Sequence, residues 1–132
     1  MSVPVTNRGF LYADGIFETL RAVRGQLLFL DDHFQRIREG LKAHRIHPPL
    51  GFTPASIQAD IARLLQAEDL QEAARIRMNL TRSGDGYYTP SDSGLDVLVT
   101  ASPLETVEYT LNDKGLSTDI YPEMKCTPNQ LS

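Results

Sequence analysis

Two β-forming runs meet at Arg24-Gly25, and that break commits the chain to an early antiparallel hairpin. The run "IFETLRAV" carries β-branched and aromatic residues and predicts a strand over Phe17 to Val23. "QLLFL" predicts the return strand, with Arg24-Gly25 as the tight turn. Ahead of the hairpin, Asp14-Gly15 predicts a sharp turn. Glycine there would supply a positive φ, and aspartate would bond nearby backbone.

The period then changes. Leu30, Phe34, Ile37 and Leu41 recur at three- and four-residue steps, which predicts one helical face, with Asp31 or Asp32 as its cap. That helix should fade at His44 to Ile46, before Pro48-Pro49. A second helix should start at Thr53, its N-cap, with Pro54 at the first helical position. Ile57, Ile61, Leu64 and Leu65 form its apolar stripe, and it should end near Ala67 to Asp69. "LQEAA" reads as a short helical or irregular piece.

In "RIRMNLTR", Ile76, Met78 and Leu80 alternate with polar residues and predict a half-buried strand. Parity puts Arg75, Arg77, Asn79 and Thr81 on one face, and Ile76, Met78, Leu80 and Arg82 on the other. "SGDG" reads as a turn, "YYTP" as a short extended piece, "LDVLVTASP" as a central strand and "LSTDIYP" as a further strand. A hairpin, two helices and then several strands predict an α+β fold: a mainly antiparallel sheet with two principal helices on one side.

A chain of 132 residues suits one domain. Its 41% hydrophobic and 23% charged residues are those of a globular protein. A net charge of -4 argues against a nucleic-acid surface. No apolar run approaches the roughly 20 residues of a membrane span. The single Cys126 cannot form an internal disulfide, and the first residues lack a signal-peptide core. Together these predict a cytoplasmic protein. His33, His44 and His47 have no ligand spacing that predicts a metal site.

The stretch "NRGFLYADGIFETLRAVRGQLLFLDDHFQRI" resembles the opening of the class IV (fold-type IV) pyridoxal-phosphate enzymes. These include branched-chain and D-amino-acid aminotransferases and aminodeoxychorismate lyase. The matching residues are Arg8, Gly9, Tyr12, Asp14, Gly15, Phe17, Glu18, Gly25, His33, Arg36 and Ile37. Ala13 stands where the family usually has glycine. "RIRMNLTRSGDGYYTP" is similar to the strand and loop beside the substrate, and "TPNQLS" to the approach to the cofactor lysine.

The resemblance implies that residues 1–132 are the smaller N-terminal domain of a two-domain, homodimeric enzyme acting on amino acids and keto acids. It implies pyridoxal 5'-phosphate as cofactor, with Arg36 holding the phosphate. A planar guanidinium fork suits that dianion. Periodicity alone would leave Arg36 in solvent, away from the Phe34, Ile37 and Leu41 stripe. The resemblance makes Phe17 a wall of the substrate pocket, where the residue pattern alone reads core. Glu18 is open between a site role and a structural, hydrogen-bonded carboxylate. Arg77 and Arg82 become substrate-positioning candidates, and Tyr87 and Tyr88, which the residue pattern alone reads as packing, are implied to shape the same pocket. The arginine that many relatives carry in the loop ending at Pro90 is missing here.

Transamination needs a lysine amine to join the cofactor aldehyde and move a proton at the substrate α-carbon. By analogy that lysine should fall about three residues past Ser132, with the cofactor-binding domain beyond it. The chain as given would then hold no catalytic residue and be inactive alone. Lys125 is the nearest alternative, and Asn129 follows it at a spacing seen in relatives. Three readings stay open: part of an aminotransferase, part of an aminodeoxychorismate lyase-type enzyme, or a stand-alone dimerisation module.

Overall fold

The computed structural model describes residues 3–120. The elements are α1 (Arg8–Tyr12), β1 (Gly15–Val23), β2 (Gln26–Leu27), α2 (Leu30–Ala43), α3 (Pro54–Ala67), β3 (Ala73–Arg82) and β4 (Leu95–Pro103). The sheet order is β2-β1-β3-β4, and every neighbouring pair is antiparallel. This is the expected α+β architecture.

Register sorts the side chains. Ile16 opposes Leu80, Glu18 opposes Met78 and Leu20 opposes Ile76, and β4 continues the rows with Val97, Val99 and Ala101. Leu20, Ala22, Ile76, Met78 and Leu80 on this face pack with Ile37 and Leu41 of α2 and Ile57, Ile61 and Leu65 of α3. Burying each large aliphatic side chain is worth about 1.5–3 kcal/mol, so this single face carries the apolar stabilisation. The opposite face holds the odd-numbered residues of β1 and β3: Phe17, Thr19 and Arg21, then Arg75, Arg77, Asn79 and Thr81. No helix of eight or more residues covers it among the described residues. The parity expected for β3 therefore holds.

The hairpin turn is as expected. Arg24 and Gly25 both have positive φ, 48° and 75°, the pairing that matches the twist of two antiparallel strands. The return strand is only Gln26–Leu27, because Phe29 adopts a left-handed φ of 55° and α2 begins at Leu30. Asp31 and Asp32 sit in the first turn of α2, where they complement its dipole, and neither is the cap. At α3 the Thr53 hydroxyl accepts from Ser56 N–H, and the Ser56 hydroxyl oxygen in turn accepts from Thr53 N–H. That capping box and Pro54 fix the helix start as expected.

Three expectations are corrected: the place of β4, the "YYTP" piece and the "LSTDIYP" strand. β4 is an edge strand and β3 is central, since its partners lie on both sides. Of the expected helical or irregular piece "LQEAA", Leu70 to Glu72 are irregular, and Ala73 and Ala74 already belong to β3. "YYTP" is a series of bends, and residues 116–120 are neither strand nor helix. A five-residue helix, Arg8–Tyr12, capped by the Asn7 side chain, precedes the Asp14-Gly15 turn and was not expected.

Candidate functional site

The Asp14-Gly15 turn differs from its expected form. Ala13, not Gly15, has the positive φ, 52°, as the C-cap of α1. A left-handed residue accounts for a preference for glycine at that position. Gly15 is required for space: a Cβ there would lie 2.4 Å from the Leu80 carbonyl oxygen. Asp14 bonds arginines instead of local backbone. Its Oδ2 accepts from Arg8 Nε at 2.7 Å and from Arg82 Nε at 3.0 Å. Burial pushes the Asp14 carboxyl up, but hydrogen bonds from Arg8 and Arg82 outweigh it and hold it below the ordinary aspartate value.

Both arginines reach further. Arg8 Nη1 donates to the carbonyls of Gly86 and Tyr87, at 2.7 and 3.0 Å, and so tethers the loop after β3. Arg82 donates to the carbonyls of His44 and Arg45, satisfying the end of α2. Arg82 is thus buried on the helix-covered side, apart from Arg77. Its geometry is that of a clamp between strand, turn and helix.

Arg36 is anchored although its side chain is 60% exposed. Arg36 Nε donates to Glu18 Oε1 at 3.0 Å and Nη2 to Oε2 at 2.7 Å, a two-point fork. Glu18 lies on the helix-covered face of β1 with its side chain only 11% exposed. His33 Nδ1 stands 2.8 Å from Glu18 Oε2. Burial raises the Glu18 carboxyl, but bonds from Arg36 and His33 hold it below the ordinary glutamate value, and the same pairing raises Arg36. Sequence reasoning left Glu18 open; the spacing of Glu18 on a strand and His33 and Arg36 one helical turn apart is the signal that could have joined them.

On the other face Phe17 is 58% exposed, so it is not core. The Arg77 guanidinium lies 4.0 Å from its ring centroid. Arg77 Nε donates to Asn79 Oδ1 at 3.3 Å, which steadies that stack. Beside them a groove of about 500 Å³ is lined by Asn79, Thr81, Leu98 and Phe10 among others. Tyr87 and Tyr88 project from the loop, almost fully exposed. Lys125, Cys126 and Asn129 lie outside the described residues.

The family described as class IV amino-transferases matches residues 15–131. The chain belongs to that family. It is 29% identical over 112 residues to an aminodeoxychorismate lyase of Bacillus subtilis, a match covering 83% of this chain and 38% of the relative. In fold it matches a branched-chain aminotransferase of Thermoproteus uzoniensis with a TM-score of 0.65 at 21% identity, over 77% of this chain and 35% of that one. It also matches a hypothetical aminotransferase of Mycobacterium tuberculosis in a PLP-bound form, TM-score 0.60 at 20% identity, over 78% of this chain and 34% of that one. The chain therefore spans a little over a third of the length of these relatives.

The family works with pyridoxal 5'-phosphate. The chemistry of the Arg36 donor set fits the phosphate of that group. Glu18 occupies Nε and one edge of the guanidinium, while Nη1 donates to no described residue and the side chain is mostly exposed. No described helix is long and apolar enough to cross a membrane.

Proposed function

We propose that residues 1–132 form the N-terminal domain of a pyridoxal-phosphate-dependent aminotransferase, which moves an amino group between an amino acid and a 2-keto acid. The observation that carries this reading is the Arg36 fork on Glu18, with one amino group of the guanidinium unbonded among the described residues and available to a phosphate. When bound, the cofactor supplies an electron sink for bonds at the substrate α-carbon. Arg36 holds the phosphate end. Phe17 and Arg77, stacked on the uncovered face, form a wall and a cationic point for a substrate carboxylate. Arg82 is left out of this set because its bonds go to Asp14 and the end of α2. Tyr88 belongs to it only if further polypeptide or a second subunit encloses the loop.

The lysine that binds the cofactor covalently is proposed to lie past Ser132, so the 132-residue chain alone has no turnover. The short share of each relative that the chain covers supports this. Exposed Phe10, Leu11 and Tyr12 on α1 support an enzyme that works as a homodimer. The proposed location is the cytoplasm.

The similarity to a lyase favours a second reading, an aminodeoxychorismate lyase-type activity. Incubating the complete enzyme with aminodeoxychorismate, and separately with an amino acid and a keto acid, separates the two. The cofactor reading is tested by Arg36→Gln in the complete enzyme. Losing charge-assisted bonds worth about 1.5–3 kcal/mol should raise the cofactor Kd roughly ten- to hundredfold. An unchanged Kd would remove the assignment.

A further inference from the structure

An exposed arginine on a helix surface ordinarily samples many rotamers, and each immobilised long side chain costs about 0.5–1.5 kcal/mol when it binds a ligand. Arg36 is arranged differently. Two of its nitrogens are fixed on the two oxygens of Glu18, and Glu18 is itself nearly buried on β1. The carboxylate needs orienting as well, because its side chain can turn about its own bonds. His33, three residues before Arg36 on α2, meets Oε2 at 2.8 Å.

His33 Nδ1 faces two groups, with Arg36 Nη2 at 3.0 Å as well as Glu18 Oε2. One ring nitrogen cannot donate to the carboxylate and accept from the guanidinium together. The carboxylate decides, since an N–H bond to an ionised acceptor is about twice as strong as a neutral one. The hydrogen is then on Nδ1, the less common tautomer of a free imidazole, selected by its partner. The other charged or titratable groups near the ring do not compete for Nδ1: Asp32 acts on Arg36, and Arg21, Arg75 and Tyr109 line the groove that His33 shares.

We propose that His33 and Glu18 are positioning residues for phosphate capture by Arg36. His33 Nδ1–H fixes the Glu18 carboxylate, Glu18 fixes Nε and Nη2 of Arg36, and Nη1 is presented outward to a phosphate ester dianion. This inference rests on the cofactor reading of Arg36 and adds the chain of contacts that sets its orientation. Glu18 touches neither substrate nor cofactor. It acts through Arg36, by fixing the orientation of the guanidinium.

The test uses the complete enzyme stripped of cofactor, with inorganic phosphate as the probe. Glu18→Asp keeps the charge and withdraws the carboxylate by one methylene, so attraction and repulsion are held while the fork is broken. Phosphate affinity should fall about tenfold, measured at a temperature where circular dichroism shows the variant folded. In the wild type, nitrogen NMR should find hydrogen on His33 Nδ1, and Arg36 Nε–H should exchange slowly with water. Wild-type affinity in Glu18→Asp would overturn the proposal. So would hydrogen on Nε2 alone in neutral His33, a readout that stands even if Glu18→Asp does not fold. Arg36→Gln separates the layers: equal phosphate binding there removes the cofactor reading with this inference, whereas weakened binding there beside normal binding in Glu18→Asp removes this inference alone.

Discussion

Replacing Asp14 by asparagine should cost the fold far more than one exposed ion pair would. One oxygen of Asp14 serves two guanidiniums, at 2.7 and 3.0 Å. The side chains of Arg8 and Arg82 are only 7% and 10% exposed, and that of Asp14 is 15% exposed. Exposed pairs contribute about 0–1 kcal/mol. Removing one partner of a buried pair costs about 3–5 kcal/mol, because the remaining charge stays desolvated. Asparagine keeps one acceptor oxygen of similar shape, so about 2–4 kcal/mol is expected. That is a large part of the 5–15 kcal/mol typical of a domain. Urea unfolding followed by circular dichroism would show a lower midpoint at unchanged slope. Arg8 also tethers Gly86 and Tyr87, so proteolysis should shift toward residues 83–94. A loss below about 0.5 kcal/mol, in the range of ordinary surface changes, would refute the clamp.

Ala13→Gly should stabilise the protein by about 1 kcal/mol, seen as a raised Tm, because a left-handed alanine is strained by roughly 1–2 kcal/mol. Thr53→Ala should cost about 1 kcal/mol in urea unfolding through loss of the capping box at α3. Stability should also fall in acid. Asp14 and Glu18 have lowered folded pKa values, so their contribution is complete above the ordinary carboxylate range near pH 4 and is lost as pH falls through the lowered values. A pH titration of the unfolding midpoint checks this, and Asp14→Asn should flatten the acid limb.

The helices and the central strand were legible because their signals are local. The 3, 4 spacing of Leu30 to Leu41 and the Thr53-Pro54 start need no distant partner, and both helices formed where expected. Alternation in "RIRMNL" likewise fixed which face of β3 is buried. Strand order was not legible. An apolar run such as "LDVLVTASP" is the same string in a central strand or at an edge, and only the pairing of β3 with β1 put it outside. The arginines show the same division. Arg77 and Arg82 look alike in sequence, yet parity sends one to the uncovered face and the other into a clamp with Asp14. The partner of Arg36 is 18 residues away on another element, so only the inward parity of Glu18 on β1 read together with the His33 and Arg36 spacing on α2 could have joined them.

The measurement that bears most directly on Arg36 is a crystal structure of the complete enzyme with pyridoxal phosphate bound. The phosphate should lie within hydrogen-bond distance of the Arg36 guanidinium, which remains forked on Glu18. A phosphate held elsewhere, with Arg36 turned to bulk solvent, would contradict the account.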